Sequence, residues 1–213
     1  MHENAGMIDH LVLATPHLET TAAEVSATWG IPLTPGGSHV GLGSRNELTG
    51  LGDGAYLEVV GPDVMQPVPA APRPFGIDTL ATARLVTWCA RPTRPLHEVI
   101  ADAAAAGIQV GAPTAMSRRR PDGVLLEWQL TPPHLDEPHH GVLPFLIDWL
   151  QSPHPTASLP HEATLTTLRL THPRPDLVRA FVEILGGDPR IEVAEGPAGA
   201  TAHIATPTGI AQL

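Results

Sequence analysis

Lysine is absent from this chain of 213 residues, and all twelve basic residues are arginine. A protein without lysine cannot use a lysine Schiff base, a lysine-bound pyridoxal phosphate or a phosphate-binding P-loop. Acidic residues number 22, which leaves a formal net charge of −10 at neutral pH. An acidic surface repels phosphate backbones and anionic lipids, so the sequence indicates neither a nucleic-acid nor a membrane partner.

Cysteine and long apolar runs are scarce as well. The single cysteine, Cys89, excludes an internal disulfide and any site built from several cysteines. It lies in an apolar segment, where it is interpreted as a small strand residue. No apolar run approaches the ~18 residues of a membrane span, and the N-terminus has no basic region followed by an apolar stretch. We therefore expect a cytoplasmic protein.

Catalytic motifs of several common enzyme classes are missing too. The sequence contains no dinucleotide fingerprint, no Gly-x-Ser-x-Gly elbow and no His-Glu-x-x-His motif. These absences predict that no nucleotide cofactor is bound, and they direct attention to sites assembled from distant parts of the chain.

The hydropathy pattern repeats a unit in which a strand leads to a helix that ends at glycine. Strands are predicted at 7–14, 84–90 and 164–171, each followed by a helix, at 17–29, 95–106 and 175–185. Further strands are predicted at 55–60, 124–131 and 144–150, with two or three in the tail from 191 to 213. Units of this kind cannot close a core singly, so the expected class is α+β, with sheets paired and helices outside.

The same pattern divides the chain. We expect a first βαβββ module at 7–62, a proline-rich connector at 63–83, a second βαβββ-like module at 84–150 and a third, βαβ-type module at 163–213.

Two strand segments resemble a known family: Ile-Asp-His-Leu-Val-Leu-Ala at 8–14 and Tyr-Leu-Glu-Val-Val-Gly-Pro at 56–62. Supporting segments lie at 36–39, 43–46, 72–76, 117–123 and 144–149. On these residues the chain is similar to the glyoxalase-like domain proteins of the vicinal oxygen chelate superfamily, which includes glyoxalase, bleomycin resistance and dioxygenase proteins. The resemblance covers residues 7–150 well and residues 160–213 loosely.

The resemblance implies an open, barrel-like mixed sheet formed by paired βαβββ modules, whose interior often holds a divalent metal such as Zn, Mn, Fe(II) or Ni. Ligands in that superfamily come from the first and last strands of each module, which implies His10, Glu58 and Asp148 as metal ligands here. The fourth place falls on the strand at 84–90, which contains no His, Asp or Glu. Such domains also pair, so a homodimer is compatible with the resemblance.

Glu58 is the first candidate for catalysis, because a carboxylate within an apolar strand is costly to bury alone. Strand alternation places Tyr56 and Glu58 on one face and Leu57 and Val59 on the other. Glu58 then faces either the cavity or solvent, and in the cavity it could transfer a proton on the substrate. His39 is the second catalytic candidate if its strand lines the same cavity; otherwise it is a loop histidine among glycines.

Four residues are candidates for substrate binding, each with a plain structural alternative. Asn46 could bind through its amide or form a turn. Arg118, the first of three consecutive arginines, could hold a carboxylate or phosphate, or lie on a solvated surface. Trp88 and Trp128 could line an apolar pocket or pack in the core.

These observations support two hypotheses of different kinds. The first is an enzyme that binds a small oxygen-bearing or anionic molecule and uses a divalent metal for isomerase, lyase or dioxygenase chemistry. The alternative is a metal-free protein that sequesters a small molecule. The incomplete ligand set favours the alternative, and the pairing of His10 with Glu58 favours the enzyme; a dimerisation module is a third interpretation.

Overall fold

The computed structural model describes residues 7–119 and 123–213, with the strands divided between two sheets. The larger sheet contains β1 (Ile8–Ala14), β2 (Thr34–His39), β3 (Ser44–Gly50), β4 (Tyr56–Pro62), β5 (Arg84–Ala90), β6 (Thr114–Arg119), β7 (Leu125–Leu130) and β8 (Phe145–Asp148). The smaller sheet contains β9 (Thr164–His172), β10 (Ile191–Glu195), β11 (Gly199–Thr206) and β12 (Gly209–Gln212). The α-helices are α1 (Leu18–Trp29), α2 (Leu96–Ala105) and α3 (Pro175–Ile184).

Helix α1 shows how the local sequence sets these bounds. Its buried residues are Leu18, Thr21, Val25 and Trp29, which recur every three or four positions and so form one face. The helix ends because Gly30 adopts a left-handed conformation, with φ of 72°, and donates its N–H to the carbonyl of Ser26. The helix therefore covers the larger sheet with a single apolar stripe.

The larger sheet follows the strand order β2-β3-β4-β1-β5-β8-β7-β6. Strand β1 runs parallel to β4 and antiparallel to β5, and β5 runs parallel to β8, so two similar four-stranded halves meet at β1 and β5. The sheet is mixed and nearly closes into a barrel, which confirms the predicted fold class. Its inner face is the position expected for a ligand site.

Alternation along each strand creates two separate apolar cores. On β4, Leu57 and Val59 belong to the outer core beneath the helices, whereas Tyr56 and Val60 belong to the inner core. Glu58 shares the inner face with them and lines the cavity there. The period of two in this strand thus places the carboxylate inside the barrel, the first of the two alternatives.

The smaller sheet completes the outer core instead of extending the barrel. Its strand order is β10-β9-β11-β12, with β9 and β10 parallel and joined by α3. Leu165 and Leu168 of β9 and Phe181 of α3 share the outer core with residues of β1 and β4. A backbone bond also ties the smaller sheet to the end of β3, since the N–H of Leu165 in β9 donates to the carbonyl of Leu51.

Strand β6 is the largest difference between the predicted and observed elements. The predicted strands do not include Thr114–Arg119, yet this segment pairs antiparallel with β7 along its whole length. The two cavity-facing residues of β6 are Met116, which is apolar, and Arg118, which is charged, so the strand has no simple apolar pattern in the sequence.

Within the described ranges, none of the helices has the length and hydropathy of a membrane-crossing segment.

Candidate functional site

A cavity of about 210 Å³ opens on the inner face of the larger sheet. The first half of the sheet supplies its polar side chains, which are His10, His39, Asn46, Tyr56 and Glu58. The second half supplies Arg118 together with an apolar surface formed by Met116, Trp128, Leu130, Phe145, Ile147 and Trp149. The cavity therefore combines a cluster of hydrogen-bonding groups with an aromatic surface.

Glu58 lies at the centre of the polar cluster and is only 6% exposed. Its Oε1 accepts a hydrogen bond of 2.6 Å from Nδ2 of Asn46. The imidazoles of His10 and His39 flank the carboxylate, with each Nε2 3.7 Å from its nearer oxygen. Three elements of the first module thus bring two histidines and a carboxylate together.

Packing and hydrogen bonding fix the ring of His10. Its Nδ1 lies 2.7 Å from Oδ1 of the neighbouring Asp9. The ring stacks on Tyr56 with centroids 4.7 Å apart and meets the edge of Phe145 at 5.4 Å. The other nitrogen, Nε2, is thereby directed at Glu58 and the cavity.

Asp9 lies behind His10 and is completely buried. Burial alone would raise the pKa of its carboxyl, but hydrogen bonds from His10 and His154 outweigh burial and hold the pKa well below its usual range. Asp9 therefore carries a negative charge at neutral pH, which is stabilised by N–H groups pointed at it.

His39 and Asn46 complete the polar cluster. Nδ1 of His39 is 2.9 Å from Oγ of Ser44, and burial lowers the pKa of the imidazole, which favours its neutral form. The amide of Asn46 fits closely over β2, because a Cβ on Gly36 would lie 2.1 Å from its Oδ1. The glycine-rich segment thus allows the site to close around Asn46, as expected for strands near a ligand.

Arg118 reaches the cavity across the seam between β2 and β6. Its Nη1 donates to Oδ1 of Asn46 at 3.4 Å, which fixes the orientation of that amide. Of the three consecutive arginines, the side chain of Arg119 and the whole of Arg120 lie outside the described residues. Arg118 thus places a positive charge beside the apolar residues that the second half of the sheet contributes to the cavity.

Two predicted site residues lie elsewhere. Asp148 alternates with the cavity-lining Phe145 and Ile147, so its carboxylate points away from the cavity and accepts the N–H of Leu150. Trp88 is fully buried in the outer core, where its indole donates to the carbonyl of Val142. The structure thus does not bring Asp148 to His10 and Glu58, and it gives Trp88 the packing role.

The structure adds residues to the site that the sequence did not single out. Phe145 and Met116 line the cavity, and Met116 has the same strand parity as the predicted Arg118. His154 reaches Asp9 from the short 3-10 helix that follows β8. No local pattern marks His154, because its partner is 145 positions away in sequence.

Comparison with known sequences decides the family. Residues 8–186 match the sequence profile of a glyoxalase-like domain. The chain belongs to the glyoxalase-like domain family. This family lies within the vicinal oxygen chelate superfamily, which confirms the resemblance seen in the strands at 8–14 and 56–62. No curated protein sequence matches the chain.

Solved structures with similar folds span most of this glyoxalase-like protein. A hypothetical protein from Staphylococcus aureus has a TM-score of 0.65 and 15% identity, over 90% of this chain and 86% of that one. A methylmalonyl-CoA epimerase from Streptomyces coelicolor, in complex with 2-nitronate-propionyl-CoA, has a TM-score of 0.42 and 20% identity over 67% and 96% of the two chains. The epimerase of Mycobacterium tuberculosis has a TM-score of 0.41 and 13% identity over 69% and 89%.

The superfamily implies a divalent metal, and each imidazole of the cavity lies close enough to Glu58 to share one with it. Among the described residues, His10, His39 and Glu58 do not form a group whose ligand atoms all lie within 4.8 Å of one another, so binding one ion with all three requires their side chains to draw together. Two metal–ligand bonds of about 2.1 Å can span up to about 4.2 Å. The separations of 3.7 Å between Glu58 and the two Nε2 atoms fall within that limit. Two imidazoles and a carboxylate form a set that binds Zn, Mn, Fe(II) or Ni and leaves positions for substrate oxygens.

A second group of donor atoms fits a metal less well. Asp9, His10 and Cys89 offer ligand atoms within 4.8 Å of one another. The carboxylate of Asp9 is already bonded to three side chains, and burial raises the pKa of the Cys89 thiol well above its usual value. An ion bound there would compete with these hydrogen bonds of Asp9, whereas His10, His39 and Glu58 face an open cavity.

Proposed function

We propose that this glyoxalase-like protein is a metal-assisted enzyme that acts on a small, partly apolar molecule carrying carbonyl or carboxylate oxygens. The observation that carries the proposal is Glu58, held 3.7 Å from the Nε2 atoms of both His10 and His39 in a cavity that also has an aromatic surface. His10, His39 and Glu58 would hold the ion, in place of the set that included Asp148. The chemistry proposed is isomerisation, elimination or oxygenation.

The residues of the chain have separable tasks in this proposal. A bound divalent metal would act as a Lewis acid toward a substrate oxygen. Glu58 moves a proton at the adjacent carbon, as a carboxylate in a low-dielectric site can. Arg118 binds an anionic group of the substrate, while Trp128 and Phe145 contact its apolar part and exclude water.

One observation favours the metal-free binding protein as the second function. The Nδ2 of Asn46 is 2.6 Å from Oε1 of Glu58 and 3.3 Å from Nε2 of His39, so its two protons can satisfy both atoms without an ion. Of the described residues, no His, Asp or Glu of the second module lines the cavity. In this function Arg118 and the tryptophans provide affinity alone.

Elemental analysis of tag-free protein, purified without chelator, distinguishes the two functions. The enzyme predicts about one equivalent of a transition metal per chain, lost in both His10→Ala and His39→Ala. His97→Ala is the matched control, because His97 lies exposed on α2 and should leave the metal content unchanged. Absence of metal after incubation with Mn, Fe(II), Ni and Zn would favour the binding protein.

Arg118→Met is expected to weaken the binding of small carboxylates by about 1.5–3 kcal/mol, the loss of a charge-assisted hydrogen bond. Because Trp128 and Trp149 line the cavity, tryptophan fluorescence titrated with a panel of aromatic and aliphatic carboxylates measures the affinity directly. Arg84→Met removes an exposed charge at the start of β5 and is the control. Equal affinities in the two variants would show that Arg118 does not bind the anion.

A further inference from the structure

Asp9 is completely buried directly behind the cavity, although it does not line the cavity itself. The guanidinium of Arg91 lies 3.8 Å from its Oδ2, a cation that favours the ionised carboxylate, and three further nitrogen atoms are within hydrogen-bond distance. Nδ1 of His10 is 2.7 Å from Oδ1, whereas Nε2 of His154 and Nε1 of Trp149 are each 3.0 Å from Oδ2. An ionised carboxylate only accepts hydrogen bonds, so all three nitrogens must carry the proton they direct at it.

This requirement gives the two histidines opposite tautomers. In neutral His10 the proton is on Nδ1, and Nε2 presents its lone pair to Glu58 and the cavity. In His154 the proton is on Nε2, and Nδ1 is free to accept from the hydroxyl of Thr156, whose Oγ1 is 2.7 Å away. Each ring nitrogen of His154 then has a matching hydrogen-bond partner, since Nε2 donates to Asp9 and Nδ1 accepts from Thr156.

We propose that Asp9 is a positioning residue, which holds neutral His10 in the Nδ1–H form so that an unprotonated nitrogen faces the cavity. His154, in the segment that leads to the smaller sheet, holds Asp9 in turn. The proposed function determines what that nitrogen does, namely bind a cation or accept a proton. A His10 protonated on Nε2 would direct a hydrogen at Glu58 and could do neither.

Asp9→Asn changes this arrangement in a defined way. The asparagine has one acceptor oxygen, whereas Trp149 and His154 both donate at the position of Oδ2. The oxygen is therefore expected to face these two donors, which turns the NH₂ group toward Nδ1 of His10. Since Nδ1 must then accept, the proton of His10 moves to Nε2.

Long-range ¹H–¹⁵N spectra of metal-free protein with ¹⁵N-labelled histidine, recorded at mildly alkaline pH, report each tautomer directly. The signals of His10 and His154 are assigned by their loss in His10→Gln and His154→Gln. In the wild type we expect about a tenfold or greater excess of Nδ1–H over Nε2–H at His10, the factor that a charge-assisted hydrogen bond supplies, and the reverse at His154. In Asp9→Asn we expect Nε2–H to predominate at His10.

Asp148→Asn is the matched control, because its carboxylate accepts the N–H of Leu150 and contacts neither histidine. It should leave both tautomers unchanged. Persistence of Nδ1–H at His10 in folded Asp9→Asn would overturn the proposal. If that variant does not fold, the wild type decides: Nε2–H at His10, or Nδ1–H at His154, overturns the proposal. The spectra need neither metal nor substrate, so failure of the proposed function would leave this result intact.

Discussion

Glu58→Gln is expected to lower the affinity for divalent metal at least tenfold, because it replaces an anionic ligand between two imidazoles with a neutral amide. The fold should be nearly unaffected. Glutamine has almost the same shape and retains an oxygen that can accept the 2.6 Å hydrogen bond from Asn46. Calorimetric titration of the apo protein with metal gives the affinity, and thermal unfolding of the apo protein gives the stability.

Glu47→Gln is the matched control for that experiment. Glu47 lies on β3, next to the strand of Glu58, and its Oε1 accepts from Arg45 at 3.1 Å, away from the cavity-lining residues. This variant should bind metal as the wild type does. Equal affinities in the two variants would mean that Glu58 is not a ligand, and would leave the metal-free binding protein as the better function.

Gly141→Ala is expected to reduce the free energy of unfolding by on the order of 4 kcal/mol, among the larger losses for a single substitution. A Cβ at this position would lie 1.8 Å from the carbonyl oxygen of Val86, on the strand β5 at the junction of the two half-sheets. The backbone also has φ of 80°, which alanine adopts only at a cost. Urea unfolding measures the loss.

Gly107→Ala separates the two causes. Gly107 has nearly the same backbone conformation, with φ of 79°, but a Cβ there would meet nothing within 4 Å. We expect a loss of only ~1–2 kcal/mol, which is the cost of the left-handed conformation itself. If both variants lost the same amount, the contact between Gly141 and β5 would have no role in stability.

Periodicity made part of the site predictable. The side chains of β4 alternate between the two faces of the sheet in the order Tyr56, Leu57, Glu58 and Val59. This alternation is a local property of the strand, so the inner position of Glu58 follows once the outer core is recognised. The same alternation on β8 places Asp148 on the outer face of the sheet, away from the cavity. Phe145 and Ile147 carry the apolar inner face of β8, and the carboxylate of Asp148, which follows Ile147, faces outward.

The remaining features depend on pairing between distant strands. The register of β1 and β5 shifts at two places, so the side chains of β5 cannot be assigned to a face by counting from either end. Trp88 lies opposite Leu11 and shares its outer core for this reason. Strand β6 lacks an apolar alternation, and His154 acquires its role only when the chain returns to β1. No local pattern contains this information.

The unlike halves of the cavity have a stereochemical consequence. A flat ligand between them would present one face to Glu58 and the histidines and the other to the indole of Trp128. Arg118 lies at the seam, so an anionic substituent anchored there would prevent the ligand from turning over. Proton addition or removal in such a cavity would occur on one prochiral face, and the product would be formed as a single enantiomer.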